Sequence, residues 1–140
     1  MKSVITNLNF DGNCREAMEF YAKCLGAELE LMPFSSMPGE ASQKVEWAAD
    51  RIMHARLSKG GVLVMASDTI PGAPFVQGNN FYVCINCESR EEIEKLFGAL
   101  SEKGNVSMPL QDTFWGAHFG MLTDRFGIGW MLNFPLPAQA

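Results

Sequence analysis

The sequence predicts an α+β fold: two βαβββ modules forming a curved, incompletely closed sheet barrel with helices outside. Three observations predict it. A helix-opening signature occurs twice, each time followed by apolar side chains at i, i+3, i+4 and i+7. Each putting-down of a helix is preceded by a short strand and followed by three extended segments. A Pro/Gly-rich stretch, DTIPGAPFVQG at 68–78, separates the two copies. The chain is then a single domain over 1–140, with module one at about 1–68, a linker at 69–78 and module two at about 79–134.

In module one the first strand is SVITNLNF. Asn13 and Glu16 form a capping box, in which a short polar side chain caps the helix and a glutamate three residues on reaches back. Ala17, Phe20, Tyr21 and Cys24 make one buried helical face, and Gly26 stops the helix. Extended segments follow: AELELMPF, then VEWAADR leading into IMHARLS, then GVLVMASD, with the turn SKGG closing the last hairpin. Residues 32–44, MPFSSMPGEASQK, form a loop between strands, either a surface excursion or a lid.

Module two repeats the plan. NNFYVCIN is its first strand, and Ser89 and Glu92 form its capping box. Ile93, Leu96, Phe97 and Leu100 are its buried helical face, and Gly104 is its stop. NVSMPL, AHFGMLTD and IGWMLNF are its later strands, with TDRFG as the last turn. In that turn Asp124 bonds backbone amides and Gly127 takes a positive φ, a structural role. One module alone cannot bury both a helix and a sheet; two paired modules can, and their concave inner face is where a small ligand would bind.

Composition narrows the function. At 140 residues and 47% hydrophobic, the chain is long enough and apolar enough for a real core. Its net charge of −5 and lack of a basic run argue against nucleic acid and anionic membrane as partners. No apolar run reaches membrane-spanning length and the N-terminus lacks a signal-peptide pattern, so a cytoplasmic location is expected. The four cysteines, Cys14, Cys24, Cys84 and Cys87, are expected as buried, inert thiols; the Cys84/Cys87 pair has no second CxxC to complete a metal site.

The doubled βαβββ unit resembles the vicinal-oxygen-chelate superfamily, which includes glyoxalase I and bleomycin-resistance proteins. NFDGNCREAMEFY, MHARLSKGGVLVMASD and MPLQDTFWGAHFGMLTDRFGIGWMLN make it most similar to the PhnB-like branch. The resemblance implies the paired-module fold and a homodimer. It leaves activity open, since superfamily members include isomerases, dioxygenases, thiol transferases and drug-binding proteins. Some PhnB-like proteins carry a demethylubiquinone methyltransferase label, but nothing in this sequence resembles the Gly-rich nucleotide loop of a methyl-donor-binding fold, so methyl transfer is not expected.

The superfamily's enzymes hold a divalent metal with His and Glu from the first and last strand of each module. Aligning on the helix motif and on Gly61 and Gly127, those positions carry Thr6, Asn80, Met65 and Met131. A hydroxyl, an amide and two thioethers suit Mg, Mn, Ni or Zn poorly, so no metal cofactor is expected. The alternative metal reading uses His54 and His118, facing each other across the pseudo-twofold axis, with Asp68, Asp112 or Asp124 as third ligand. Against it, both histidines are ordinary strand residues.

Strand alternation puts Thr6, Leu8, Asn80, Tyr82 and Cys84 on the inner face with Leu63, Met65, Ser67, Gly129, Met131 and Asn133. Trp115 either walls this pocket and stacks on a flat ligand or joins the core; Phe119 and Phe126 are assigned to the core. The leading expectation is a homodimeric protein that binds a small apolar or aromatic molecule in a metal-free, sheet-lined pocket. The alternatives are a metal-dependent lyase, isomerase or dioxygenase using His54 and His118, and a drug-sequestering resistance protein. No catalytic residue is identified.

Overall fold

A computed structural model describes residues 1–36, 50–70 and 72–137. The expected strand start VEWAADR lies outside these residues as far as residue 49, as does most of the loop after Ser36.

The chain divides into two compact units, Met1–Val76 and Gln77–Ala140. The first contains β1 (Asn7–Phe10), α1 (Cys14–Leu25), β2 (Glu28–Pro33), a short 3-10 turn (Phe34–Ser36), β3 (Ile52–Ser58) and β4 (Val62–Asp68). The second contains β5 (Val83–Asn86), α2 (Arg90–Ser101), β6 (Asn105–Asp112), β7 (Ala117–Thr123) and β8 (Gly129–Pro135). The sheets have the same plan, β1-β4-β3-β2 and β5-β8-β7-β6. In each, the first strand runs parallel to the last and the other pairs are antiparallel. The α+β doubling expected from the repeat is therefore present, strand for strand.

Each helix covers one face of its own sheet. α1 buries Cys14, Ala17, Met18, Tyr21 and Leu25, and α2 buries Ile93, Phe97 and Leu100. The α1 stripe is rotated from the expected one: Met18 replaces Phe20 and Cys24, which are half-buried. Beneath α1 lie Leu8, Phe10, Ala55, Leu57, Val64 and Ala66; in the second unit Leu122, Trp130 and Leu132 are the large apolar side chains buried on the sheet, with Ala117, His118 and Gly120 of β7 also buried. Each large apolar side chain so buried is worth about 1.5–3 kcal/mol.

The helix ends depart from expectation in two places. Asn13 makes no side-chain cap bond. Its task falls to Asp68 at the end of β4, whose Oδ1 accepts from the amides of Gly12 (2.8 Å) and Cys14 (3.0 Å) while Oδ2 accepts from Ile52 (2.8 Å). One buried carboxylate thus ties the start of α1 to β3 and β4. At α2 the box is present: Ser89 Oγ accepts from the Glu92 amide at 3.0 Å, and Glu92 reaches back to the Glu88 amide at 2.9 Å. The second departure is Gly104. Lys103 takes the left-handed turn (φ 60°), and Gly104 is needed instead because a Cβ there would lie 2.5 Å from the Thr123 carbonyl.

Candidate functional site

The helix-free face of each sheet carries the polar and sulphur-bearing side chains. In the first unit Glu30 pairs with Arg56, Arg56 with Met65 and Met65 with Asn7, giving one row across four strands. Met32 pairs with His54, and Asn9 with Ser67. Arg56 Nη2 bonds Glu30 Oε2 at 2.6 Å, and Asn7 Nδ2 reaches Ser67 Oγ at 3.3 Å. Leu63 continues the β4 side of this face.

This register corrects the expected lining. Leu8 is 1% exposed and pairs with Ala66, so it belongs to the core beneath α1. Thr6 precedes β1 and alternates with Leu8; its carbonyl accepts from the Met65 amide at 2.9 Å, while the side chain beside Met65 is that of Asn7. The cause is a one-residue difference between the modules. The last helix-side residue of the first strand stands four residues before its helix in unit one (buried Phe10 to Cys14) and five in unit two (half-buried Ile85 to Arg90). A sheet has a side-chain period of two, so counting back from both helices reaches opposite faces.

In the second unit three rows cross the helix-free face. Gln111, Phe119, Asn133 and Asn86 form one. Met108, Met121, Met131 and Cys84 form the next. Thr123 and Gly129 begin the third, where the Tyr82 ring packs so closely that a Cβ on Gly129 would meet it at 2.7 Å. Asn133 Nδ2 donates to Asn86 Oδ1 at 3.2 Å. Asn80 is exposed and precedes β5. Phe119, assigned to the core by its sequence context, is half-buried on this face instead; Phe126 is half-buried in the last turn. Met108, Met121, Asn7 and Asn86 were not singled out from the sequence; only their cross-strand pairing brings them into these rows.

The aromatic stretch is surface rather than core. Trp115 is 55% and Phe114 98% exposed at the β6–β7 turn, which Gly116 closes with φ 84°. Trp115 stands edge-on to Phe119 with ring centroids 5.7 Å apart.

The two histidines occupy unlike positions. His54 lies on the helix-free face of its sheet, opposite Met32. His118 is buried on the helix side, where Nδ1 lies 2.7 Å from Asp112 Oδ1 and 3.3 Å from Arg90 Nη1 at the start of α2. The His118 hydrogen bond, then the Arg90 charge, hold the Asp112 carboxyl below its usual range. Asp68 is committed to backbone amides as described, and Asp124 accepts from Phe126 and Ile128 amides and from Trp130 Nε1 at 2.8 Å. Among the described residues no three His, Cys, Asp or Glu side chains gather to hold a metal. Nor do the donors at the expected positions fit a divalent ion, since Met65 has Asn7 beside it and Met131 has Cys84.

The thiols differ among themselves. Burial, then the Asp68 carboxylate, pushes the Cys14 thiol up to about 12; burial, then Glu92, pushes Cys87 up to about 11. Cys84 is exposed, contrary to the expectation of four buried thiols, and Cys24 is half-buried.

Comparison with known proteins gives a consistent picture. The family model described as 3-demethylubiquinone-9 3-methyltransferase matches residues 2–133. The crystal structure of protein PA1353 from Pseudomonas aeruginosa is similar at 45% identity and a TM-score of 0.85, covering 98% of this chain and 100% of that one. A putative 3-demethylubiquinone-9 3-methyltransferase, PhnB protein, from Bacillus cereus is similar at 26% identity and 0.75, covering 95% and 99%. At 13% identity and 0.65, a glyoxalase/bleomycin resistance protein/dioxygenase family enzyme from Burkholderia phytofirmans shares the fold over 96% of this chain and 100% of its own.

Proposed function

The chain belongs to the PhnB-like family, the one described as 3-demethylubiquinone-9 3-methyltransferase, within the glyoxalase/bleomycin resistance/dioxygenase fold group, and on that premise we propose that it binds a small apolar or aromatic molecule in a sheet-lined pocket without a divalent metal. One observation carries the reading. At the positions where an oxygen- and imidazole-lined metal centre would need His and carboxylate, the sheets set Met65 beside Asn7 and Met131 beside Cys84, while on the first face Glu30 is paired with Arg56 and His54 stands opposite Met32.

The methyl-transfer description of the family is not adopted. Doubly wound nucleotide-binding folds hold their ligand at the carboxyl end of a parallel sheet, beside a Gly-rich turn. Both sheets here are mixed, each with one parallel pair. Sequestration of a cationic drug is not adopted either, because Glu30, the carboxylate in the rows described, is already paired with Arg56. The proposal includes a homodimer working in the cytoplasm. The exposed Phe114 and Trp115 rings support a partner surface, and four cysteines outside any disulfide suit a reducing compartment.

Calorimetric titration with 2-naphthol, on protein whose metal content is assayed in the same sample, tests the reading. Saturable binding unchanged by EDTA is expected, weakened about tenfold in Met131→Lys, which sets a charge on the face. Stoichiometric divalent metal, or no binding, would overturn it. Light scattering on the same sample checks for the dimer mass.

A further inference from the structure

Across the helix-free face of the second sheet, every strand contributes one sulphur. Met108 stands opposite Met121, Met121 opposite Met131 and Met131 opposite Cys84, in the strand order β6, β7, β8, β5. Strands lie about 4.8 Å apart, so the row is roughly 14 Å long. The three methionines are half-buried and Cys84 is exposed. The core of these strands does not need them: Leu122, Trp130 and Leu132 supply the buried face. The matching row of the first sheet, Glu30, Arg56, Met65 and Asn7, holds one sulphur and an ion pair, so the pattern belongs to the second sheet alone.

The flanks are different in kind. On one side lie the side-chain amides of Asn133 and Asn86, bonded to each other at 3.2 Å, with Asn86 Nδ2 and Asn133 Oδ1 making no hydrogen bond among the described residues. On the other side the Tyr82 ring packs over Gly129, the glycine leaving room for it. A line of polarizable sulphurs is a poor cage for a soft metal ion, which needs three or four donors converging on one point. It is a good floor for the flat face of an aromatic ring, because thioethers make favourable contacts with aromatic systems and adapt their shape.

We propose that the Met108–Met121–Met131–Cys84 row is the floor of a site for a planar aromatic molecule of at least two fused rings. A hydroxyl or carbonyl at the ligand's edge bonds the Asn86–Asn133 amide pair. This rests on the reading that the helix-free faces bind an apolar molecule, and it names the ligand class.

The test compares 2-naphthol with trans-2-decalol, the same skeleton with and without aromatic rings, on the full chain. Tighter binding of naphthol by about tenfold is expected. In Met121→Leu/Met131→Leu, a volume-conserving change, that preference should fall to about twofold with decalol affinity unchanged. Methyl-labelled methionine gives a readout that needs no variant: naphthol should shift the Met121 and Met131 methyls upfield by its ring current and leave that of Met18, buried under α1, in place. Equal affinity for the two alcohols, a preference that survives the double substitution, or unmoved Met121 and Met131 methyls would overturn the proposal while leaving apolar binding standing. Binding of neither alcohol would remove both.

Discussion

Asp68 does more for the first unit than any other polar side chain described. It satisfies three backbone amides from two separate segments while almost fully buried. Replacing it with alanine leaves buried donors unpaired, and a loss of about 3 kcal/mol in urea unfolding is expected. Asn13→Ala, by contrast, should cost less than about 0.5 kcal/mol, whereas Ser89→Ala should cost about 1 kcal/mol, because only Ser89 caps its helix with its own side chain. Asp112 responds to acid. Its folded-state pKa is depressed below the usual 3.8, so its contribution is present above that pH and is lost as pH falls further, through the folded value. The stability difference between the native chain and Asp112→Asn should therefore hold from neutrality to about pH 5 and disappear in strong acid, as chemical denaturation across that range would show. Thiol labelling at pH 8 should find Cys84 fast and Cys14 and Cys87 protected, since burial and raised pKa values keep the latter two as thiols.

The elements meet through close approaches that particular glycines permit. A Cβ on Gly120 in β7 would lie 2.7 Å from the Phe97 ring of α2 and 2.9 Å from Leu110 of β6. Gly120→Ala should therefore push α2 off the sheet and lower stability by about 1–3 kcal/mol, measurable by thermal melting. Much of this level was legible in the sequence. Helices at 14–25 and 90–101 follow from the i, i+3, i+4, i+7 pattern, and the Asp124–Gly127 turn follows from its turn chemistry. The misses are physical too. The α1 stripe turned toward Met18 because helical periodicity leaves the phase of a broad apolar face open until a sheet docks on it. The capping role expected of Asn13 went to a residue at the far end of another strand, beyond the reach of any local pattern.

At the scale of the molecule, each of the two units repeats one mixed four-stranded sheet with one helix. On the proposed metal-free reading, dialysis against EDTA should leave the melting temperature and the 2-naphthol affinity unchanged, because Met65 and Met131 have an amide and a thiol beside them rather than imidazole and carboxylate; a loss of either on chelation would contradict that reading. By itself the sequence determined the repeat, the fold class, the family resemblance and the chemistry available to a site, because capping boxes, turn glycines and periodicities of 3.6 and 2 are local properties of the chain. Only the tertiary structure decided which residues share a face. It moved Leu8 into the core, put Asn7 beside Met65, buried His118 with Asp112 and Arg90, and drew Met108, Met121, Met131 and Cys84 into one row. Strand register joins residues distant in the chain, and with a side-chain period of two a connection one residue longer exchanges the core face for the open one.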